Sequence, residues 1–289
     1  EVKNLKDLKL PMLASVKLDG IYALIVDGVI YSRSFKPIKN KHVQKLFGNH
    51  DLNGLVGELV CGGVYAEDVF RQTTTATMAE DGVNDVKLYV FDDWSVGDKP
   101  YQERYQHYQR RIKALNHGSI VALEHNMLHT IDEVTTALDK EQKRNGEGII
   151  LRLPSAKWKN GRSTPKSQES VKLKFFEQQE YKIVDVVERM HNANEAKVNE
   201  MGYTERSSHK DNMIPMNTFG AFVMELQDGR NFNVGSGLGL TDVVRKEIWN
   251  NRDKYIGKIA TVRQMKVGSK NGIPRLPTFV GLRDNDDMS

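Results

Sequence analysis

Short apolar stretches separated by polar turns run through the first half of the chain and predict β-strands mixed with helices. The clearest case is Ile21–Val26 and Val29–Ser32, which flank the dipeptide Asp27-Gly28. Because Asp-Gly readily accepts positive φ angles, this pattern predicts a tight β-hairpin. Lys17 would then lie at the end of a strand, just before the hairpin. Two further strands are predicted at residues 55–60 and 86–91.

The acidic residues Glu58 and Asp92 fall at or near the ends of those two later strands. Two helices follow along the chain. Pro100 precedes the helical pattern of Tyr101–Leu115, a position in which proline suits the first turn of a helix. Asp132 is expected to cap a second helix that ends near Asn145-Gly146.

The pattern changes after Phe176, where strands predominate and a second Asp-Gly pair, Asp228-Gly229, predicts another hairpin. Strand patterns lie at residues 181–187, 219–226, 231–234 and 259–267, and one capped helix at 241–250. This arrangement predicts a small five-stranded Greek-key barrel of the OB type, interrupted by a polar stretch at 188–217. The predicted fold class is therefore α+β, with domains at residues 1–178 and 179–289.

Composition narrows the class of protein. No apolar stretch approaches the roughly 18–20 residues that span a bilayer, and the first residues do not resemble a leader peptide. The single cysteine, Cys61, excludes an intramolecular disulfide and a cysteine-based zinc site, and its apolar neighbours indicate burial. We therefore expect a cytoplasmic protein. The net charge of +4 is compatible with a polyanionic partner.

Six short motifs follow one another at ordered intervals. They are Lys17-Leu18-Asp19-Gly20, Ser32-Arg33, Gly57-Glu58, Phe91-Asp92, Glu147-Gly148 and Lys172-Leu173-Lys174. Together they resemble the nucleotidyltransferase core of ATP-dependent DNA ligases, and the resemblance runs from Lys17 to Arg283. It implies an adenylation domain with antiparallel sheets and flanking helices, followed by an OB barrel. This minimal form is similar to ligases of bacteriophages, other viruses and small bacterial accessory ligases.

The resemblance assigns Lys17 as the nucleophile that carries AMP from ATP. An attacking amine must be neutral, and neighbouring cations with partial burial favour that form. Lys172 and Lys174 alternate with apolar residues, so both amines would lie on one strand face and bind the α-phosphate. Asp19-Gly20 would turn the backbone so that the lysine faces the nucleotide.

Other roles follow from the same resemblance. Arg33 would contact the sugar or the nick phosphate, Glu58 the ribose hydroxyls, and Phe91 would stack on adenine. Glu147, just before an apolar strand, is expected to bind Mg²⁺, with Glu58 as a second candidate ligand. Arg162, in the basic segment 157–166, and Arg283, in the tail motif 275–284, would contact the nucleotide or the pyrophosphate.

Two positions depart from the family pattern. Tyr22 stands where many relatives have a phosphate-contacting arginine, and Asn285-Asp286 stand where Asp and then Lys are frequent. Arg33 or a nearby lysine could compensate for the first departure, and Arg283 for the second. We expect either change to slow adenylation or sealing without abolishing it.

The implied partner is nicked double-stranded DNA, held through phosphate contacts that are independent of sequence. No membrane association is expected, and the protein should be a monomer. Segment 188–217 either reaches around the duplex or is a charge-balanced surface loop. His125 and His129 are expected to face solvent, since no other metal ligand accompanies them.

Two alternatives stay open at this stage. An RNA ligase or a GTP-dependent mRNA capping enzyme shares the K-x-D-G motif and the late lysine pair. A nucleic-acid-binding protein that keeps the fold but lacks catalysis is the other, supported by Tyr22 and Asn285-Asp286. The tail beginning at Arg275 and the segment Glu147-Gly148-Ile149-Ile150-Leu151-Arg152 fit DNA ligases better.

Overall fold

The computed structural model describes residues 4–270 and 272–283, with the backbone alone for 266–270. The chain divides into two compact units, Glu1–Phe175 and Phe176–Ser289. Both combine antiparallel sheets with helices, so the predicted α+β class is confirmed.

The first unit contains nine strands and four helices within its described residues. The strands are β1 (Met12–Val16), β2 (Ile21–Val26), β3 (Val29–Ser32), β4 (Leu55–Cys61), β5 (Val86–Asp93), β6 (Ile120–Ala122), β7 (Asn126–Leu128), β8 (Gly148–Arg152) and β9 (Ser170–Lys174). The helices are α1 (Lys41–Phe47), α2 (Val69–Met78), α3 (Tyr101–Leu115) and α4 (Ile131–Lys143).

Two sheets organise the first unit. One has the strand order β7-β1-β8-β9 and the other the order β3-β2-β4-β5-β6. All pairs are antiparallel except β5 with β6. The β2–β3 turn is the predicted hairpin, since Asp27 has a φ of 49° and Gly28 a φ of 75°. The chain direction of this hairpin carries Arg33 back towards the start of β2.

Packing of the first unit depends on apolar faces of both sheets. Fully buried Phe47, Leu88 and Tyr108 belong to a core cluster between the five-stranded sheet and helices α1 and α3. Leu151 and Val134 belong to a separate cluster between the four-stranded sheet and α4. Burying each large side chain contributes about 1.5–3 kcal/mol, which fixes the strands that carry the motif residues.

Helix α4 begins differently from the prediction. Thr130, and not Asp132, is the N-cap, because its side chain accepts from the Glu133 N–H and Glu133 reaches back to the Thr130 N–H. This reciprocal capping box satisfies two backbone donors, whereas a lone aspartate cap satisfies one. Asp132 instead lies within the first turn, where its negative charge suits the helix dipole.

The second unit contains seven strands and one helix among the described residues. These are β10 (Phe176–Asn192), β11 (Ala196–Val198), β12 (Thr204–Arg206), β13 (Met213–Glu225), β14 (Asn231–Val234), α5 (Asp242–Asn250), β15 (Ile259–Lys270) and β16 (Ile273–Leu282). Five strands form one sheet in the order β14-β13-β10-β15-β16. Gly237, just after β14, bridges Phe279 of β16, which brings together segments from the two edges of the sheet.

The segment at 188–217 is a correction to the sequence reading. It does not interrupt the sheet as a loop, because β10 and β13 stay paired out to Asn192 and Met213. Between them, Ala196–Val198 pairs with Thr204–Arg206 as a small hairpin. The polar stretch is therefore a projecting β-ribbon, and its exposed faces explain why it lacks the alternation of a half-buried strand.

No helix in the described part of the chain has the length and apolar character needed to cross a membrane.

Candidate active site

Lys17 directly follows β1 and is fixed to the neighbouring strand through its backbone. Its N–H donates to the Gly148 carbonyl oxygen at 2.9 Å. Glu147 stands immediately before β8, and Gly148 pairs with Lys174 of β9. Three motif residues that are far apart in sequence therefore meet at one end of the neighbouring strands β1, β8 and β9.

The Glu147 carboxylate is the centre of this meeting point. Its side chain is 1% exposed and forms ion pairs with Lys17 and with Lys174, the latter at 2.8 Å. Burial by itself would raise the pKa of Glu147, but the two ammonium groups outweigh it and the pKa is lowered. The buried carboxylate is therefore held ionised and directs both lysines into the site.

Two glycines are required by close contacts between backbones. Gly148 has a φ of 140°, and a Cβ there would overlap the carbonyl oxygen of Leu173. A Cβ on Gly20 would overlap the carbonyl oxygen of Leu59. The glycine of the first motif is thus needed for its approach to β4. The role expected for Asp19-Gly20 was a sharp turn, whereas the contact with β4 is a different physical reason for glycine at position 20. Asp19 itself is half-buried.

The five-stranded sheet brings a second group of side chains to the site. Tyr22 of β2 pairs with Glu58 of β4, the fourth of seven residues in that strand and not its end as expected. The Arg33 guanidinium lies 5.0 Å from the centre of the Tyr22 ring. The Phe91 ring of β5 lies 6.1 Å from Tyr22 on a tilted plane. Arg33, Tyr22, Glu58 and Phe91 therefore follow one another across the sheet.

Electrostatic coupling connects this row with the Lys17 cluster. Burial raises the pKa of Glu58 to about 7, although Lys17 and Arg33 act in the opposite direction. The pKa of Lys172 is lowered, first by partial desolvation and then by Arg33 and Lys17. The charged groups of the two sheets are therefore close enough to influence one another's ionisation. Lys172 keeps its side chain exposed, and Val171 and Leu173 face the core as predicted.

Comparison with known families decides how this cluster is to be understood. Residues 2–174 match the model described as the ATP dependent DNA ligase domain. The chain belongs to the ATP-dependent DNA ligase family. Residues 215–283 match the DNA ligase OB-like domain, in agreement with the predicted OB fold. The resemblance found in the sequence motifs is thus confirmed.

Two groups of solved DNA ligase structures resemble this chain. Two crystal structures of Chlorella virus DNA ligase-adenylate are 26% and 28% identical to this ligase, both with a TM-score of 0.55. The first alignment covers 98% of this chain and 96% of the viral one, the second 99% and 96%. A Lig E DNA ligase structure, described as DNA binding with a minimal scaffold, is 20% identical, covers 98% of each chain and has a TM-score of 0.70; at that identity it supports the fold. No curated protein matches the chain.

Some predicted residues of this ligase lie apart from the cluster. Arg162 is exposed and makes no hydrogen bond or ion pair within the described residues. Arg283 belongs to the second unit, where its guanidinium forms an ion pair with Glu180. Asn285-Asp286 lie outside the described residues. These three predicted assignments stay predictions.

Sequence reading missed a buried support behind Phe91. The Arg152 guanidinium lies 4.8 Å from the centre of the Phe91 ring and 4.9 Å from that of Tyr101. Asp92, which is buried, accepts two hydrogen bonds from Arg104, at 2.7 and 3.2 Å, and lies 3.5 Å from Arg152. The signal in the sequence was the arginine at the end of the apolar strand β8.

His125 is also a correction. It was expected to face solvent, but it is buried, with the Tyr101 hydroxyl 2.9 Å from Nε2 and the Tyr108 hydroxyl 3.2 Å from Nδ1. Burial lowers the pKa of His125 to about 3, so the ring is neutral at physiological pH. His129, four residues on, is exposed as expected.

The donor set suits Mg²⁺ only together with a phosphate ligand. Mg²⁺ usually takes one or two carboxylates and completes its octahedron with water and phosphate oxygens. Glu147 and Glu58 are coupled carboxylates at the site, and no group of three metal-ligating side chains occurs among the described residues. Two carboxylates beside three lysines fit a metal that arrives with ATP.

Proposed function

We propose that Lys17 is the residue to which this ATP-dependent DNA ligase attaches AMP, and that the adenylate is then used to seal nicks in duplex DNA. The observation that carries the proposal is the convergence of Lys17, Glu147 and Lys174 at one end of three neighbouring strands. Glu58 and Arg33 reach the same site from the other sheet. An isolated lysine before a turn would have no reason to be surrounded in this way.

The first step would be attack of the Lys17 amine on the α-phosphorus of ATP. The new P–N bond forms while the bond from the α-phosphorus to the bridging oxygen breaks, and pyrophosphate leaves. Lys172 and Lys174 face the position where charge builds up on the α-phosphate oxygens, a type of stabilisation that commonly dominates phosphoryl transfer. Glu147 orients Lys17, whose ammonium group must first lose one proton to solvent to become the attacking amine. A second proton leaves the nitrogen for solvent as the P–N bond forms.

Glu58 and Phe91 would bind the nucleoside. The Glu58 carboxylate is partly buried beside Gly20 and could accept hydrogen bonds from the ribose hydroxyls. Phe91 offers a ring face to adenine, a contact of about 1–3 kcal/mol. Glu147 and Glu58 would hold Mg²⁺, which supplies charge neutralisation on the ATP phosphates when bound.

The adenylated lysine would then donate AMP to the 5′-phosphate of a nick. An oxygen of that phosphate attacks the AMP phosphorus, the P–N bond breaks, and Lys17 regains its amine. The 3′-hydroxyl finally attacks the activated phosphate, forms the phosphodiester and releases AMP. Duplex DNA is the proposed partner, with domains at 1–178 and 179–289 acting in one monomer.

The decisive experiment is labelling with α-labelled ATP and Mg²⁺, beside a Lys17→Ala variant. Label that stays on the denatured wild-type chain and is lost in the variant would identify Lys17 as the nucleophile. A Lys113→Ala variant is the matched control, since Lys113 is an exposed residue of α3 outside the six motifs. It should retain full labelling.

The alternatives separate in the same experiment. Label from GTP but not ATP would indicate a capping enzyme, and sealing of nicked RNA but not DNA an RNA ligase. Absence of label from either nucleotide, even after pyrophosphate treatment to remove preexisting AMP, would overturn the proposal. Nick binding would then be the remaining function.

A further inference from the structure

Tyr22 occupies the centre of the site although the family pattern has arginine at this position. Its strand partner is Glu58, and the Arg33 guanidinium lies over its ring at 5.0 Å. Ala23 pairs with Ser32 in the antiparallel hairpin. Tyr22, just before Ala23, and Arg33, just after Ser32, therefore lie side by side. Position 22 thus contributes an aromatic surface, and the positive charge comes from the neighbouring strand.

Arg33 faces the reacting groups. It acts electrostatically on Glu58 of β4 and on Lys172 of β9. These residues belong to the two different sheets, so the guanidinium acts on charged groups of both. A ring beneath a guanidinium stabilises it by a cation–π contact that becomes stronger as water is excluded.

We propose that Tyr22 is a positioning residue: its ring holds Arg33 so that Arg33, in place of the missing arginine, binds the 5′-phosphate of the nick. The inference rests on the proposed function, since it assigns a role within the sealing reaction. In the proposed function, Lys172 and Lys174, next to Lys17, bind the α-phosphate of ATP. The second phosphate that must enter the site is the one that attacks the lysine adenylate.

The ring, and not the hydroxyl, carries this role. Within the described residues the Tyr22 hydroxyl has no hydrogen-bond partner, while the ring contacts Arg33 and lies near Phe91. Tyr22→Phe should therefore preserve the function. Tyr22→Leu keeps an apolar side chain but removes the π-face. Arg33→Lys keeps a cation but loses the planar group that stacks on an aromatic ring.

The test separates the steps of the reaction. Wild type, Tyr22→Phe, Tyr22→Leu, Arg33→Ala and the double variant Tyr22→Leu/Arg33→Ala are first labelled with ATP. Each adenylated protein is then mixed with excess 5′-phosphorylated nicked duplex, and the rate of AMP transfer is measured in a single turnover over a range of nick concentrations. Thermal unfolding of each variant verifies folding.

We expect Tyr22→Phe to transfer AMP at close to the wild-type rate and Tyr22→Leu to be about 2- to 5-fold slower, the size of a cation–π contact with an exposed arginine such as Arg33. Self-adenylation of Tyr22→Leu should be slowed less than AMP transfer, so that the ratio of the two rates separates the steps. In the Arg33→Ala background, Tyr22→Leu should cause little further loss, because the two residues act as a unit.

Three results would overturn the inference: Tyr22→Phe as slow as Tyr22→Leu, losses that multiply in the double variant, or a defect confined to self-adenylation. The last result would place Arg33 on the ATP phosphates or the sugar. A wild-type protein that never accepts label would instead refute the proposed function, so the two failures are distinguishable.

Discussion

The guanidinium of Arg152 lies 4.8 Å from the centre of the Phe91 ring and an equal distance, within 0.1 Å, from that of Tyr101. One charged plane is thus placed between two aromatic rings, one of which is the proposed adenine platform. The Tyr101 hydroxyl also donates to the Phe91 carbonyl oxygen at 2.7 Å. Phe91 is therefore held through both its ring and its backbone, which limits the rearrangement needed when a base stacks on it.

Replacement of Phe91 tests the stacking assignment. Phe91→Leu should weaken ATP binding by about 5- to 150-fold, corresponding to about 1–3 kcal/mol of lost base stacking. Phe91→Tyr should bind nearly as well as wild type. The measurement is the ATP concentration dependence of self-adenylation. Equal affinity in Phe91→Leu would show that Phe91 is an ordinary core residue.

Asp92 should be essential for folding stability. It accepts two hydrogen bonds from buried Arg104 and lies beside Arg152. Asp92→Asn leaves two buried cations without a counter-charge, which typically costs about 3–5 kcal/mol. Exposed Asp98→Asn is the matched control and should change the free energy of unfolding by less than about 0.5 kcal/mol. Urea unfolding compares the two.

The sequence was a good guide wherever a local rule decided the structure. Asp27-Gly28 specified its hairpin because few dipeptides adopt positive φ so readily, and the alternation around Lys172 and Lys174 specified a strand with two amines on one face. The cap of α4 was also readable in advance. Thr130 and Glu133 have the spacing of a capping box, a stronger signal than Asp132 alone.

Local sequence rules could not predict polar contacts between residues that lie far apart in the sequence. His125 is buried because Tyr101 and Tyr108, on a preceding helix, satisfy its ring nitrogens, and nothing in its own neighbourhood indicates this. Arg152 is similar, since its ring partners come from β5 and α3. The ribbon at 188–217 was missed for the opposite reason, because strands exposed on both faces show no hydrophobic alternation.

Gly148 should not tolerate a side chain. Its φ of 140° disfavours other residues, and a Cβ would overlap the Leu173 carbonyl oxygen. We expect Gly148→Ala to lower the free energy of unfolding by more than about 2 kcal/mol and to impair self-adenylation, since Gly148 also accepts the Lys17 N–H. Gly118→Ala, where a Cβ meets open space, should leave the thermal midpoint nearly unchanged. Equal midpoints would contradict the assigned packing.

His125 should make stability depend on pH. Its pKa is about 3 in the folded protein and close to 6.5 when unfolded. Between these values the unfolded chain binds the additional proton, so this contribution is complete above about pH 6.5 and is lost as the pH falls towards 3, at up to about 1.4 kcal/mol per pH unit.

Urea unfolding of wild type and His125→Gln between pH 7 and pH 4.5 measures this effect as a difference in slope. The variant should lose less stability on acidification than wild type, whatever its stability at pH 7. His129→Gln, which replaces an exposed histidine on the same segment, should keep the wild-type slope. Parallel slopes for wild type and His125→Gln would exclude a buried neutral histidine.

The ribbon formed by the ends of β10 and β13 should contact the duplex. Lys197, Arg206 and Lys210 are exposed on it. Replacing residues 193–212 by Asn-Gly would join Asn192 to Met213, which are already paired, through a two-residue turn that suits a hairpin.

If the three cations each contact a phosphate, the slope of log affinity against log salt should fall by about 3. Self-adenylation should be retained as evidence of folding, since the replaced residues include none of the proposed nucleotide-contacting residues. A triple Lys197→Gln/Arg206→Gln/Lys210→Gln variant should reproduce the change in slope with the ribbon intact. Nick affinity and salt dependence equal to wild type in the shortened protein would identify the segment as a charge-balanced surface ribbon without a role in DNA binding.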